Sequence, residues 1–555
     1  MPGRKLNLVL LLLFVMLCHT SVWAKAIPVE LKKTDNGWQL LRDGKPYFIR
    51  GAGGSASLSE LAAAGGNSVR TWGSDDIDDL LDEAHALGIS VTIGIWLGHE
   101  RHGFDYSDES QVKQQFEKAR ESVLRYKDHP ALLLWGVGNE MEGFDAGDDP
   151  AIWKAVNDIA SMIKQLDPLH PTMTVTAEIG GERISNIEKY GTAIDIHGIN
   201  AYGGSPSIAE RYRASGANRP YILTEFGPPG AWEVAKSDWG AAYELTSAEK
   251  AQRYRESYQG AVLAAPGLAL GSYVFIWGYK MEATATWFGM FLPDKSPLAA
   301  VDVMTEIWSG QPPENLAPAV KPLLVKGDTQ LDPGAEVRVL SEINDPEAGD
   351  VSVRWVLRRE LKGEQIGGDY RAMIPDIEDA IMESRVDGAL IRMPQEPGSY
   401  RLFLYVYDDA GKAATANVPL LVKGEEHTAM PFPVYEDSFK GMPWAPSGWM
   451  GAHEELELDG DHTDNPHRGD ACIKMRYKGK FGWVGVAWQH PGNNWGDVDG
   501  GFDISSATAL EFWARGKWGG ENVSAGVGLI GKDLSLIHIS EPTRLRLKSR
   551  MPSSA

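Results

Sequence analysis

Cysteine is nearly absent from this chain, which has two cysteines among its 555 residues. Cys18 lies in the apolar N-terminal segment, so removal of that segment leaves Cys472 alone and excludes an internal disulfide. A protein without disulfides needs hydrophobic cores that are large enough to fold unaided. A chain of this length is expected to divide into roughly two to four such domains.

Positive charge is also scarce, since 54 Lys and Arg residues face 76 Asp and Glu residues, for a net charge of -22. A binder of polyanions needs positive potential along its contact face. The composition therefore argues against nucleic acid or an anionic membrane surface as a partner. It is compatible with a neutral polymer, and it says nothing about the oligomeric state.

An apolar run long enough to span a bilayer is missing even at the N-terminus, where LNLVLLLLFVML is too short for a span. Arg4 and Lys5 precede this run, and Val22-Trp23-Ala24 places small residues at the usual cleavage offsets. Residues 1–24 therefore read as a secretory signal peptide, with an uncleaved anchor as the alternative. We expect a bacterial protein that is secreted or periplasmic and makes no stable membrane insertion.

The C-terminal residues are unlike the rest of the chain. The stretch LSLIHISEPTR, Leu534 to Arg544, resembles the translation of a sequencing adapter, and KSRMPSSA, Lys548 to Ala555, resembles the flanking primer. We expect residues 534–555 to be an artefact and the native sequence to be interrupted near Asp533. A basic tail is the alternative.

From residue 25 to 310, short apolar β-rich runs alternate with helical stretches, which is typical of a parallel sheet with crossover helices. The candidate strands are residues 47–51, 67–72, 90–96, 132–138, 172–178, 194–200, 221–226 and 272–277. Eight strands with interposed helices predict a (β/α)8 TIM barrel, whose active site lies at the carboxyl ends of the strands.

The remainder is predicted to be all-β. After the Pro-rich run SGQPPENLAPAVKP, residues 311–424 show in-out alternation that resembles an immunoglobulin-like sandwich acting as a spacer, with 374–384 as a short helical insertion. Residues 425–533 are dense in tryptophan and resemble a truncated jelly-roll carbohydrate-binding module. There Trp483, Trp488 and Trp495 are candidates for a carbohydrate-stacking platform, with core packing as the alternative.

Two glutamates each follow a short apolar run: Glu140 ends LLLWGVGNE, and Glu225 lies in PYILTEFG. Two carboxylates at the ends of two buried strands are the apparatus of glycosidic-bond cleavage, in which one protonates the leaving oxygen and the other attacks the sugar. Both fall at the catalytic end of the predicted barrel, on strands four and seven.

The segments GVGNE (136–140) and TEFG (224–227) resemble the retaining (β/α)8 glycosidase clan that includes the β-galactosidase/β-glucuronidase barrels and the cellulase/mannanase superfamily. The resemblance implies that Glu140 is the acid/base and Glu225 the nucleophile. It also implies that Asn139 donates to the sugar 2-hydroxyl and that Tyr202 hydrogen-bonds the nucleophile. Arg70, at the end of strand two, is placed to keep Glu225 ionised.

Other candidates are weaker. By the same resemblance Trp277, at the end of strand eight, forms the aromatic floor of the cleavage subsite, with core packing as the alternative. His197 either lines the site or packs against a helix. Four residues follow strands two and three: Trp72, Trp96, His99 and His102. Loop packing is the favoured interpretation for each of them, with the lining of a groove as the alternative. No metal site or cofactor is expected, because nothing completes a ligand set around His99 and His102.

These observations predict a retaining glycoside hydrolase that acts on a β-linked poly- or oligosaccharide. We expect a β-glucan, because the segments after strands four and seven are long enough to frame a cleft. The alternatives are a transglycosylase on the same barrel, a β-mannan- or β-galactoside-active hydrolase, and a non-catalytic carbohydrate-binding scaffold.

Overall fold

A computed structural model describes residues 25–54, 56–100, 104–142, 147–360, 374–424, 432–439, 442, 444–479, 482–495, 502, 509–517, 523–527, 535–539 and 545–550. Residues 1–24, and with them the predicted signal peptide, lie outside these ranges.

Eight parallel strands close into a barrel, which confirms the predicted TIM-barrel fold. An N-terminal sheet precedes it, with strands β1 (Val29–Thr34), β2 (Gly37–Arg42) and β3 (Lys45–Pro46). The barrel strands are β4 (Ile49–Gly53), β5 (Ser68–Arg70), β6 (Ser90–Ile95), β7 (Leu132–Asn139), β8 (Thr172–Ala177), β9 (Ile196–Asn200), β10 (Tyr221–Glu225) and β11 (Ala269–Phe275). All eight overlap the predicted strands, and the eighth ends two residues earlier than predicted.

Helices cover the outside of the barrel: α1 (Leu58–Ala63), α2 (Asp78–Ala86), α3 (Glu109–Tyr126), α4 (Pro150–Leu166), α5 (Arg183–Tyr190), α6 (Ile208–Ala214), α7 (Ser247–Ser257) and α8 (Ala299–Ser309). The start of α4 shows how the sequence sets their ends. The Asp149 side chain accepts from the Ala151 amide at 2.7 Å, and Pro150 occupies the first helical turn. Apolar side chains of α4 are buried against the barrel, Ile152, Val156, Ile159 and Ile163 among them.

The N-terminal sheet closes the amino end of the barrel. Trp38 donates its amide to the Gly267 carbonyl at 2.6 Å, and Val29 donates to Leu169 at 2.9 Å, both just before barrel strands. Apolar side chains of this sheet continue the core inside the barrel. Because this end is closed by protein, the opposite end, where the strands finish, is the open mouth.

Residues 319–422 form a sandwich of two four-stranded sheets, as predicted, together with one further two-stranded sheet. The strands are β12 (Ala319–Val320), β13 (Leu324–Lys326), β14 (Gln330–Leu331), β15 (Glu336–Leu340), β16 (Ile343–Asn344), β17 (Ser352–Arg359), β18 (Ile381–Arg385), β19 (Gly388–Arg392), β20 (Gly398–Tyr407) and β21 (Ala413–Val422). The helical insertion predicted at 374–384 is wrong, since a single 3-10 turn at Glu378–Ala380 leads directly into edge strand β18.

The sandwich packs directly on the barrel. Arg401, which is 1% exposed, donates to the Ala242 carbonyl at 2.7 Å, and Trp239 donates to the Ser399 hydroxyl at 3.1 Å. Apolar side chains from the segment after β11 join the same interface, Leu292 and Leu298 among them. The sandwich therefore supports the two segments of the mouth that follow β10 and β11.

The third unit is a set of two-stranded antiparallel pairs. Its strands are β22 (Ala445–Gly451), β23 (Leu456–His462), β24 (Cys472–Tyr477), β25 (Val484–Gln489), β26 (Ala509–Ala514), β27 (Val523–Val527), β28 (Ser535–Ile539) and β29 (Leu545–Arg550). The last two lie in the adapter-like segment and pair with β27 and β26. No helix within the described ranges combines the length and apolarity that a membrane crossing requires.

Candidate active site

Glu225 ends β10 at the mouth of the barrel and is 5% exposed. Its Oε1 accepts from the Arg70 guanidinium at 3.0 Å and from the Trp72 indole at 2.7 Å, and its Oε2 accepts from the Tyr202 hydroxyl at 2.7 Å. A buried carboxylate is stable only when it is paired and hydrogen-bonded, and both conditions hold here. These contacts stabilise the anion and fix the direction of both oxygens.

Tyr202 keeps its proton in this arrangement. Burial and the nearby charge of Glu225 raise the pKa of Tyr202 well above its ordinary value. The phenol therefore stays protonated near neutral pH and donates its hydrogen bond to Glu225.

Glu140 follows the last residue of β7 in a left-handed backbone conformation, with φ of 51°. For a residue with a side chain this conformation costs about 1 kcal/mol or more. The Glu140 amide, which donates to the Val175 carbonyl at 2.9 Å, helps to hold it. Burial and, second, the charge of Glu225 raise the pKa of Glu140 from 4.5 to about 7. Glu140 can therefore hold a proton near neutral pH.

A chain of hydrogen bonds joins the two glutamates. Arg70 donates one nitrogen to Glu225 and another to Asn139 Oδ1 at 2.5 Å. Asn200 Nδ2 donates to the same Asn139 oxygen at 3.2 Å and to Glu140 Oε1 at 2.7 Å. Since both donors occupy Asn139 Oδ1, the amide NH2 of Asn139 is left to donate elsewhere.

Glu142 anchors the turn that carries Glu140. Its Oε1 accepts from the Ala177 amide at 2.7 Å, at the end of β8, and from Arg183 Nε at 2.8 Å on α5. The Glu142 side chain is buried, which raises its pKa. A buried carboxylate needs an opposite charge to remain ionised, and Arg183 supplies it. The clamp ties the segment after β7 to the neighbouring strand and so limits the movement of Glu140.

The aromatic floor predicted at Trp277 is wrong. Trp277 is 1% exposed and packs against Phe291 and Trp308 at centroid distances of 5.0 and 6.1 Å, in the layer beneath α8. The last residue of β11 is instead Phe275, whose ring lies 5.9 Å from Trp72 and 5.8 Å from Tyr202. Phe275 is therefore the aromatic side chain of this strand that adjoins Glu225.

His197 also lies away from the mouth, so it packs against a helix and does not line the site. The ring is 2% exposed, hydrogen-bonds Thr176 at 3.0 Å and lies 5.7 Å from Tyr212 of α6. Burial, the larger cause, and the charge of Arg219 lower the pKa of His197 to about 3. His197 is a neutral residue between the barrel wall and a helix.

The three tryptophans proposed as a platform in the third unit differ in exposure. Trp483 is 63% exposed, whereas Trp488 is half-buried beside Phe439 at 6.3 Å, and Trp495 is half-buried with its indole donating to Asn493 at 3.2 Å. The stacking platform stays a prediction, and Trp483 is its most accessible member.

Of the four residues after strands two and three, Trp72 contacts the proposed nucleophile, which sequence reasoning did not anticipate. His102 lies outside the described residues. Asn200 was missed altogether, although it ends a predicted strand as a polar residue, the same signal that identified the glutamates. Within the ranges that the structure describes, no three His, Cys, Asp or Glu side chains come together as metal ligands.

Comparisons with known proteins also identify a glycosidase-like barrel. Residues 79–264 match the family described as "Glycosyl hydrolases family 2, TIM barrel domain". This stretch contains Glu140 and Glu225, whereas Arg70 and Trp72 precede it. The barrel is therefore similar to that of family 2 glycosyl hydrolases.

Individual relatives match over part of their length. A β-galactosidase of Thermoanaerobacterium thermosulfurigenes is 28% identical over 149 residues, which are 26% of this chain and 18% of the relative. The β-D-glucuronidase of Dictyoglomus thermophilum aligns with 18% identity and a TM-score of 0.41, over 52% of this chain and 54% of its own. The β-glucuronidase of Ruminococcus gnavus aligns with 16% identity and a TM-score of 0.41, over 51% and 53%. This chain thus spans about half of these two solved structures and less than a fifth of the β-galactosidase.

Proposed function

We propose that this protein is a retaining β-glycosidase that works through a glycosyl-enzyme intermediate on Glu225. The observation that carries the proposal is the hydrogen-bonded chain between Glu140 and Glu225, in which one carboxyl group holds a proton and the other is a paired anion. Two carboxyl groups with separate protonation states are what double displacement requires. The match to the family 2 barrel supports the same class of reaction.

In the first step Glu225 attacks the anomeric carbon while Glu140 gives its proton to the departing glycosidic oxygen. In the second step Glu140 removes a proton from water, the water oxygen attacks the same carbon, and Glu225 is released. Two inversions retain the anomeric configuration. The fixed NH2 of Asn139 donates to a sugar hydroxyl, a bond that strengthens as the oxocarbenium-like transition state forms.

For the substrate we propose a β-linked glucan, and for the location the periplasm or the exterior of the cell. The long segment after β10 and its support by the sandwich favour a cleft over a closed pocket. The relatives described as β-galactosidase and β-glucuronidase make a galactoside or a glucuronide the competing substrates.

The proposal is tested by trapping the intermediate. Aryl 2-deoxy-2-fluoro-β-glycosides of glucose, galactose, mannose and glucuronic acid are incubated with the protein, and the labelled peptide is identified by mass spectrometry. We expect label on Glu225 and β-configured first products by NMR. The Glu225→Gln variant should neither label nor hydrolyse the parent aryl glycosides.

The matched control is Glu117→Gln, the same change in an exposed residue of α3 that pairs with Arg120. It should label at the wild-type rate. Label on another residue would overturn the assignment of Glu225. Absence of hydrolysis of every aryl β-glycoside, with oligosaccharide binding retained, would favour a binding scaffold instead.

A further inference from the structure

Two half-exposed tryptophans lie at the mouth on opposite sides of the barrel. Trp96 directly follows β6, and Trp232 lies in the segment after β10; each is 51% exposed. In the closed barrel these two strands are separated by three strands in either direction. The two indoles therefore stand across the mouth from one another, with the end of β7 and Glu140 between them on one side.

Both rings are held in place although they are exposed. The Trp96 indole stacks on the imidazole of His99 at 5.0 Å and 10°, and His99 itself is 5% exposed. One face of Trp96 is thus covered by a buried side chain, and half of the residue remains open to solvent. This is the arrangement of a platform and not of a mobile surface residue.

Trp232 is supported from below. A Cβ on Gly230 would lie 2.4 Å from the indole, so the ring rests on a position where only glycine fits. Tyr202 contacts it edge-on at 6.0 Å, and Glu233, which accepts from the Gly203 and Gly230 amides, holds the turn. Through Tyr202 the indole is one side chain away from Glu225.

The two strands that carry the platforms are further apart than one sugar is long. Eight strands about 4.8 Å apart and tilted by about 36° give a backbone diameter of about 15 Å. An aromatic face stacks on the apolar CH face of a pyranose. A ligand that covers both rings must therefore be a chain of several sugars that crosses the glutamates.

The charges at this end favour a neutral chain. Arg70, Arg183, Arg211 and Lys280 pair with Glu225, Glu142, Glu178 and Glu282, respectively. Each of these cations is already neutralised by a carboxylate, so a polyuronide would gain little from them and would face those carboxylates.

We propose that Trp96 and Trp232 form outer subsites on the two sides of the cleaved bond, and that the protein cleaves a neutral β-linked polysaccharide internally. The inference rests on the proposed function, since the bond that is cleaved lies between the two platforms only if Glu140 and Glu225 are the reacting groups.

The test compares Trp96→Ala and Trp232→Ala with Phe48→Ala, which removes a 44% exposed ring next to the closed, amino end of the barrel. Activity is measured on aryl β-monoglycosides and on β-1,4-glucan, β-1,3-glucan and β-1,4-mannan oligosaccharides of two to six units. In wild-type protein kcat/KM should rise with chain length. In each tryptophan variant, the loss of kcat/KM on the hexasaccharide should exceed the loss on the aryl glycoside about tenfold, which corresponds to ~1.4 kcal/mol. Phe48→Ala should leave kcat/KM unchanged on both the hexasaccharide and the aryl glycoside.

Binding measurements test the outer subsites separately from the proposed glycosidase activity. Hexasaccharides, together with a hexauronide, are titrated by calorimetry into Glu225→Gln and into the double variants that add each tryptophan change. Hexasaccharide binding that weakens about tenfold in both double variants supports the groove even if the wild-type protein proves inactive, an outcome that would overturn only the proposed function. Two outcomes would overturn the outer subsites but not the proposed function. In both the protein hydrolyses aryl glycosides; in the first it binds no hexasaccharide, and in the second the tryptophan variants behave like Phe48→Ala. If the hexauronide binds more tightly than the neutral hexasaccharides, the proposal that the substrate is a neutral chain is overturned.

Discussion

The protonation of Glu140 should depend on the charge of Glu225. Burial is the larger cause of the raised pKa of Glu140, about 7, and the charge of Glu225 is the second. Glu225→Gln removes that charge and keeps the size of the side chain. Because a nearby negative charge disfavours ionisation, its removal should lower the pKa of Glu140.

The size of the shift follows from the geometry of a retaining pair. Carboxyl groups about 5 Å apart repel by ~3 kcal/mol at an effective dielectric constant of about 20. Arg70, 3.0 Å from Glu225, offsets part of this repulsion at Glu140. We therefore expect the pKa of Glu140 to fall by about one unit, or ~1.4 kcal/mol, and to remain above 4.5 because the side chain stays buried.

The measurement is a pH titration of carboxyl-13C glutamate by NMR, with the Glu140 signal assigned from its loss in Glu140→Gln. It reads the ionisation directly and does not need an active enzyme. Glu256→Gln, in an exposed ion pair with Arg253 on α7, is the matched control and should leave the titration unchanged. An unshifted Glu140 signal in Glu225→Gln would show that the two carboxyl groups do not interact, and the double-displacement mechanism would fail with it.

Three further outcomes are expected. Tyr202→Phe removes the hydroxyl that donates to Glu225 at 2.7 Å, and kcat/KM should fall on the order of 100-fold, measured on an aryl glycoside. Asn200→Ala removes a donor that lowers the pKa of Glu140, so the basic limb of the pH profile of kcat/KM should move to higher pH, and a shift to lower pH would contradict the network. Arg401→Met leaves the carboxylate of Glu360 without its buried partner, and urea unfolding should show a loss of about 3 kcal/mol if the barrel and the sandwich unfold together.

The sequence was sufficient for the barrel and for the positions of Glu140 and Glu225 at the strand ends, because both leave local signals. Each glutamate follows a run of buried residues, and a polar residue at that point of a parallel strand faces the mouth. The same reasoning applied to Asn200 would have found it and would also have placed His197, which is three positions earlier and so points to the opposite face of the strand. The error at Trp277 has another cause. The predicted strand ran two residues too long, and strand ends are the least reliable part of such a prediction.

What could not be predicted is the wiring of the site. The approach of Arg70 to Glu225 was expected, but the bonds that join this pair to Asn139 and Asn200, which are 61 residues apart, in one chain were not. Closure of the barrel creates these contacts. The strands β5, β7 and β10 are not neighbours in the sheet, but in a closed barrel the last side chains of all three point to one centre. A side chain such as Trp72 acquires its contact with Glu225 from this convergence and not from its neighbours in sequence. It follows that substitutions that alter barrel closure far from the mouth, in the N-terminal sheet for example, should disturb the protonation of Glu140 as well as stability, since the network depends on the alignment of the strands and the Glu142 clamp secures only one of its segments.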